Sequence, residues 1–274
     1  MSSGSNDQRP LFLLSNDDGV HAAGIRAAEE ALLPLGDVIV AAPDRERSAT
    51  SHSISLDRPL RAEEVRPGVF AIDGTPVDCV YLALLHLCPR RPALVVSGIN
   101  HGYNLGSDIF YSGTVAAAVE GALRGVPGIA VSLEGRPRAK LDHAVSFLRG
   151  LAAAALASRQ ELPTNGILNV NVPSPAEGPA PGAYEVTFLG RRVYRDLVDV
   201  RQDPRGRSYY WIGGPETDAV DMPGSDMSAI RAGCISLTPV TLELSNRPFI
   251  PALSSWPIAG WQKRATATPE SGDR

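Results

Sequence analysis

LFLLSNDDGVHAAGIRAAEEALLPLGDVIVAAP, residues 11–43, decides the fold. LFLLS is a short apolar strand. AGIRAAEEALLPLG follows, with Ile25, Ala28, Leu32 and Leu33 at helical spacing and Gly36 as the stop. DVIVAAP is a second apolar strand. Neither strand alternates apolar with polar residues, so both faces must be covered, as in a parallel sheet flanked by helices.

The same rhythm continues outward. GVFAIDGTP reads as a strand running into a turn. Thr75, Pro76 and Asp78 then give a helix start, with Thr as N-cap, Pro at the first position and an acid at the third. The helix VDCVYLALLHL ends before Pro89. PALVVSGIN is a strand, SGTVAAAVEGALRGVP an Ala-rich helix closed by Gly125, and GIAVSLEG a strand. LDHAVSFLRGLAAAALAS is a helix and GILNVNVP a further strand. Alternation through Pro173 predicts an α/β fold, Rossmann-like, with a mostly parallel sheet and helices on both faces. After PSPAEGPAPG the character changes to β-like pieces, YEVTFLG, SYYWIGG and CISLTPVTLEL, which predict a β-rich C-terminal extension. The expected division is a tail over 1–10, a Rossmann-like catalytic core over 11–173, a β-rich extension and oligomerisation arm over 174–264, and a tail over 265–274.

Composition narrows the function. The 274 residues are 43% hydrophobic and 20% charged, which is globular, and the net charge of −4 argues against a nucleic-acid polymer or a membrane surface as partner. No apolar run reaches the roughly 18 residues that span a bilayer. Cys79, Cys88 and Cys234 form no C-x-x-C pair, which suits free thiols and a cytoplasmic location.

In open α/β sheets ligands bind beyond the carboxyl ends of the strands. Three such ends are strongly polar: SNDDG, PDRERSATSHS and GINHGYNLGSD. Asp-Asp-Gly alone is ordinarily a turn or a helix cap, and the Ser/Thr run from Ser48 to Ser55 a solvated loop. Placed together, however, Asp17, Asp18, Ser48 and Asn100 offer oxygen ligands and no sulfur, which selects Mg²⁺, Mn²⁺ or Ca²⁺ over zinc. A cation there would also remove the repulsion between the adjacent carboxylates. Tyr111-Ser112-Gly113-Thr114 precedes the Ala-rich helix, whose free N–H groups and dipole favour an anion, although a plain Ser or Thr N-cap explains the residues equally. No G-x-G-x-x-G or P-loop pattern stands at a strand–helix junction.

These motifs, in this order, resemble the SurE family, the stationary-phase survival nucleotidases. The matching stretches include LLSNDDGVHAAGI, IVAAPDRERSATSHSISL, DGTPVDCVYLAL, VVSGINHGYNLGSDIFYSGTVAAAVEGALRGVPGIAVS, ILNVNVP, DPRGRSYYWIGG and DMSAIRAGCISLTP, and run from Leu11 to about Leu244. The resemblance implies a metal-dependent phosphatase acting on nucleoside 5′- and 3′-monophosphates, with short polyphosphate a substrate of some members. It implies one divalent cation per subunit, Mg²⁺ or Mn²⁺, held by Asp17, Asp18, Ser48 and Asn100. Attack by water is the expected mechanism, with Asp17 or Asp18 orienting or deprotonating it. Asn100, Ser112, Gly113 and Thr114 are expected to bind phosphate, and Arg45 or Arg47 to add charge at the rim. A phosphatase with an aspartyl-phosphate intermediate and a non-enzymatic nucleotide-binding regulatory module are the alternatives. The resemblance also implies an extension exchanged between subunits, giving a homodimer or homotetramer. SYYWIGG, a near-continuous apolar run, is accordingly expected to be buried on both sides.

Overall fold

Leu13 and its neighbours Phe12 and Leu14 explain why the first strand is apolar at every position. In the computed structural model β1 (Leu11–Ser15) is buried throughout. Phe12 and Leu14 point into one core with Ile25, Leu32, Val40 and Leu148, while Leu13 points into a second core with Ala41, Val80 and Ala117. A strand with a core on each face has no polar side to show. The structure describes residues 9–135, 141–158, 162, 165–173, 182–191, 197–213 and 222–258.

The first core lies under α1 (Ala23–Leu32) and α4 (Leu141–Ala157), the second under α2 (Pro76–Leu82) and α3 (Gly113–Leu123). Between them runs a nine-stranded sheet in the order β3-β4-β2-β1-β5-β6-β7-β11-β8. β2 (Asp37–Pro43), β4 (Val69–Ile72), β5 (Leu94–His101), β6 (Gly128–Leu133) and β7 (Gly166–Val172) are parallel to β1. From β1 the chain first moves to β2 and β4 on one side, then returns to β5 on the other. β1 and β5 are therefore the switch point, where an open α/β sheet leaves a crevice.

The expected core elements are present. The capping box at Thr75 forms as read: Asp78 N–H donates to Thr75 Oγ1 at 3.1 Å, and Thr75 N–H donates to Asp78 Oδ2 at 2.9 Å. Helix α2 then widens into a π-turn over Ala83–Leu87 before Pro89. Two strands were not expected from the sequence, β3 and, described below, the one at Leu197–Gln202. β3 (Ala62–Arg66) pairs antiparallel with β4 and is exposed at all five positions, a charged edge strand that discourages further pairing. Residues 9 and 10, read as part of a tail, are tied down: Asp37 N–H donates to Pro10 O at 2.8 Å, and Arg9 donates to Leu33 O at 2.7 Å. The remainder of both expected tails lies outside the described residues.

Beyond β7 the sheet continues. β11 (Ile235–Thr241) pairs antiparallel with β7, and β8 (Tyr184–Val186) pairs parallel with β11. These pieces, with α5 (Asp226–Arg231), complete the main sheet, and the break in contact density falls after Leu242. β9 (Leu197–Gln202) and β10 (Ser208–Gly213) form a separate antiparallel hairpin. Within the single chain, Tyr210 and Trp211 of SYYWIGG are exposed and Ile212 is 92% exposed, so among the described residues this apolar run meets no core. The second unit, residues 243–274, contains a 3₁₀ turn (Arg247–Phe249) and α6 (Ile250–Ser254), with Phe249 edge-on to Trp256 at 6.0 Å. Among the described residues no helix is long and apolar enough to cross a membrane.

Candidate functional site

At the carboxyl end of β1 the chain turns sharply. Asn16, fully buried, clamps that turn: its amide donates to Gly19 O at 3.0 Å, and Gly19 N–H donates to its Oδ1 at 3.2 Å. The main chain of Asp17 is fixed from the other side, since Arg47 N–H donates to Asp17 O at 2.7 Å. With the backbone so held, both carboxylates project into the crevice.

Asn100 reaches the same place by a different device. Between Ser97 and Asn100 the register of β5 against β6 slips, a bulge of the kind that re-aims side chains beside active sites. The slip requires Gly98, which has φ +133° and where a Cβ would stand 2.3 Å from Val131 O. Asn100 donates its amide hydrogen to Gly102 O at 2.8 Å, which leaves Oδ1 free of that bond. Ser48 comes from the loop after β2. Its hydroxyl donates to Glu46 at 2.7 Å, leaving oxygen lone pairs outward.

Asp17, Asp18, Ser48 and Asn100 thus line one cleft of about 520 Å³, together with Glu46, Ala49, His101, Asn104, Asp108, Tyr111 and Ser112. A cleft of about 450 Å³ between α4 and the β11–β8 edge is apolar by comparison and lies apart from the strand ends that carry this chemistry. Among the described residues no Lys or Arg lines the polar cleft. Asp17 is 5% exposed, and burial pushes its pKa from 3.8 up to about 6; the Thr114 hydroxyl opposes that rise and the Asp18 charge adds to it. Burial raises Asp18 as well, against the pull of the His101 N–H.

The helix start at Thr114 holds an anion, but that anion is Asp17. Both the hydroxyl and the main-chain N–H of Thr114 are directed at its carboxylate. Gly113 is needed for the same contact, because a Cβ there would lie 2.8 Å from Asp17 Cβ. The Thr114 hydroxyl and N–H are thus engaged by Asp17, and Gly113 leaves room for that carboxylate. Ser112 does line the cleft. Its Oγ accepts from Val115 N–H at 3.1 Å as the N-cap of α3, and its own hydrogen remains to donate. Arg45 is exposed and is not among the lining residues, and its main chain packs beneath Gly19. Arg47 turns away, toward Asp44 at 3.6 Å and Asp73 O at 3.5 Å.

Sequence reading missed the supports. The Ser48 loop is pinned where Ser51 Oγ donates to Phe110 O at 2.6 Å and Ser51 N–H to Tyr111 O at 3.2 Å. Further along, His52 Nε2 meets the Glu120 carboxylate at 3.0 Å. Burial alone would raise Glu120, yet hydrogen bonds from His52 and Arg124 hold its carboxyl below its ordinary value. The loop after β5 is carried by Asn104, whose O accepts from Asn169 and Asn171 and whose amide donates to Ser132. Asp226, fully buried, accepts from Gly106 N–H at 2.8 Å, Gly190 N–H at 2.7 Å and Met227 N–H at 2.9 Å. None of these partners is near in sequence to the residues it supports, apart from Met227.

The model of the family described as survival protein SurE matches residues 12–196. The chain belongs to the SurE family. It is 51% identical over 254 residues to a 5′-nucleotidase SurE of Myxococcus xanthus, covering 92% of this chain and 95% of that one. It is 50% identical over 246 residues to a 5′-nucleotidase SurE of Syntrophotalea carbinolica, covering 90% and 97%. A crystal structure of a SurE protein from Aquifex aeolicus superimposes with a TM-score of 0.79 at 38% identity, over 89% of this chain and 98% of that one. The α/β architecture is that of the family.

The donor set suits a hard divalent cation. It comprises two adjacent carboxylates with raised pKa values, an amide oxygen and a hydroxyl, all oxygen and, among the described residues, with no Lys or Arg lining the cleft to balance them. Among the described residues no three His, Cys, Asp or Glu side chains cluster as a metal site, which sets this mixed oxygen set apart from a zinc centre.

Proposed function

We infer that the chain is a 5′-nucleotidase, a phosphoric monoester hydrolase that cleaves nucleoside monophosphates, and we propose that it does so with one divalent cation, Mg²⁺ or Mn²⁺, per subunit. One observation carries the reading: in a SurE-family chain, four oxygen-bearing side chains from three strand ends converge on the switch-point cleft.

Asp17, Asp18, Ser48 and Asn100 hold the cation. When bound, it supplies Lewis-acid charge to a phosphoryl oxygen and acidifies water. The residues do the rest. Asp17 is held by Thr114 and the α3 N-terminus and serves as a fixed ligand. Asp18 is half-buried and faces the open cleft, so it orients the attacking water and takes its proton. The Ser112 hydroxyl donates to a phosphoryl oxygen as charge builds there. Phosphoryl transfer needs positioning and electrostatics more than a strong nucleophile, so hydroxyls and carboxylates suffice.

The 3′-monophosphates and short polyphosphate belong to the same proposal, since all present a terminal phosphate to the same donors. We also propose self-association as a homodimer or homotetramer. The exposed Tyr210, Trp211 and Ile212 of the β9–β10 hairpin support it, as apolar surface of this kind is ordinarily covered by a partner. The three free cysteines fit a reducing cytoplasm.

The test is phosphate release from a panel of 5′- and 3′-nucleoside monophosphates and short polyphosphate, in excess chelator and after addition of Mg²⁺ or Mn²⁺. Release that needs the cation and leaves no phosphate trapped on Asp17 or Asp18 is the expected result. Full release in chelator would remove the cation, and a phosphorylated aspartate would replace direct attack by a covalent route.

A further inference from the structure

Tyr111 is the single Phe, Tyr or Trp among the described residues that line the cleft, and it is 68% exposed. Beside the Ala49 methyl and the His101 imidazole, the described lining is otherwise carboxylates, amides and hydroxyls, so Tyr111 offers the cleft its one large apolar ring face. It is not loose. Tyr111 N–H donates to Asp108 O at 3.0 Å, its carbonyl accepts from Ser51 N–H at 3.2 Å, and the next residue is the buried N-cap of α3. The backbone that carries the ring is therefore fixed on both sides.

Its place relative to the chemistry follows from the chain. Gly113 abuts Asp17, and two Cα–Cα steps, at most about 7.6 Å, separate Gly113 from Tyr111. A phosphate at Asp17 and Asp18 thus puts the rest of a nucleotide beside this residue. The four acids that line the cleft, Asp17, Asp18, Glu46 and Asp108, offer a neutral base no attraction of charge, whereas a ring face attracts any base by stacking.

We propose that Tyr111 is the stacking platform for the nucleobase, the residue that makes the site prefer nucleosides over other phosphate monoesters. The proposal rests on the nucleotidase reading and deepens it. Stacking against one face is tolerant of base identity, so the chain accepts purines and pyrimidines, with the larger purine surface favoured.

The experiment compares adenosine 5′-monophosphate with ribose 5-phosphate, which differ only by the base, in the full-length wild type, Tyr111→Ala and Tyr111→Phe. The wild type should favour the nucleotide by on the order of tenfold in kcat/KM, carried by KM. Tyr111→Ala should bring that ratio close to one, and Tyr111→Phe should keep it. An undiminished ratio in Tyr111→Ala overturns the proposal, as does an equal loss on both substrates, which would mark a structural residue. A wild type that treats the two substrates alike overturns it while leaving the phosphatase standing. Release from neither substrate would instead end the nucleotidase reading itself.

Discussion

In excess chelator, the wild-type chain should lose about 2.4 kcal/mol of stability relative to Asp17→Asn as the pH rises from 4 to 7, most of the full effect of the shifted carboxyl. Burial raises the folded pKa of Asp17 from 3.8 to about 6, with Thr114 opposing and Asp18 assisting. That gap is worth about 3 kcal/mol at 1.36 kcal/mol per pH unit. The direction is the reverse of the usual salt-bridged carboxylate. A group with a raised folded pKa keeps its proton longer in the folded state, so its contribution is fully present below 3.8 and is lost as the pH passes through about 6. The amide of Asp17→Asn retains an oxygen for the Thr114 hydroxyl but carries no charge, so its curve lacks this fall. Comparing the two proteins cancels the titration of distant groups. Urea unfolding at half-unit pH intervals reads the difference directly, and thermal scans should show a gap on the order of 6–12 °C opening between pH 4 and pH 7. Mn²⁺ added at pH 7 should recover the loss in the wild type and recover less in Asp17→Asn. Parallel pH curves for the two proteins in chelator would refute the claim that Asp17 is an uncompensated buried charge.

Other perturbations probe the supports. Thr114→Val deletes the hydroxyl that holds Asp17; calorimetric titration should show weaker Mn²⁺ binding, and the metal-free protein at pH 7 should lose about 1–3 kcal/mol. Asp226→Ala orphans the buried N–H of Gly106, at roughly 1–3 kcal/mol, and the part-buried N–H groups of Gly190 and Met227, at less, so urea unfolding should show a loss of about 2–4 kcal/mol; a change under 1 kcal/mol would deny the carboxylate its bracing role. Light scattering at micromolar concentration should give a dimeric or tetrameric mass for the wild type and a smaller one for Ile212→Asp, whereas a monomeric wild type would end the hairpin's assignment to self-association.

How far the sequence speaks depends on whether the partner of a residue is local. LFLLS and DVIVAAP were legible because a strand covered on both faces has no polar register to hide. The capping box at Thr75 was legible because both of its hydrogen bonds close within three residues. AEEVR was not, since an edge strand exposed at every position carries the composition of a loop. The convergence of Asp17, Asp18, Ser48 and Asn100 on one cleft followed from strand ends and ligand type. The helix start at Ser112–Thr114 announced an anion without saying which, and the answer, Asp17, lies 97 residues away. SYYWIGG shows the converse limit: a continuous apolar run signals a need for cover, and among the described residues of the one chain Ile212 finds none. Tyr111 stood in a quoted motif, but only three dimensions place its ring in the cleft.

The carboxylate of Asp226 also sets a timetable. It braces Gly106, 120 residues earlier in the chain, and β11 must slide between β7 and β8 before the sheet is closed. A ribosome adding about 5–20 residues per second needs roughly 6–24 seconds to cover that distance. Throughout that interval the nascent chain already holds Asp17, Asp18, Ser48 and Asn100, on strands able to pair, while the segment leading to Ser112 lacks its anchor. The cleft is thus synthesised well ahead of its brace, and a polypeptide that stops short of β11 carries every proposed ligand on a scaffold that has not been locked.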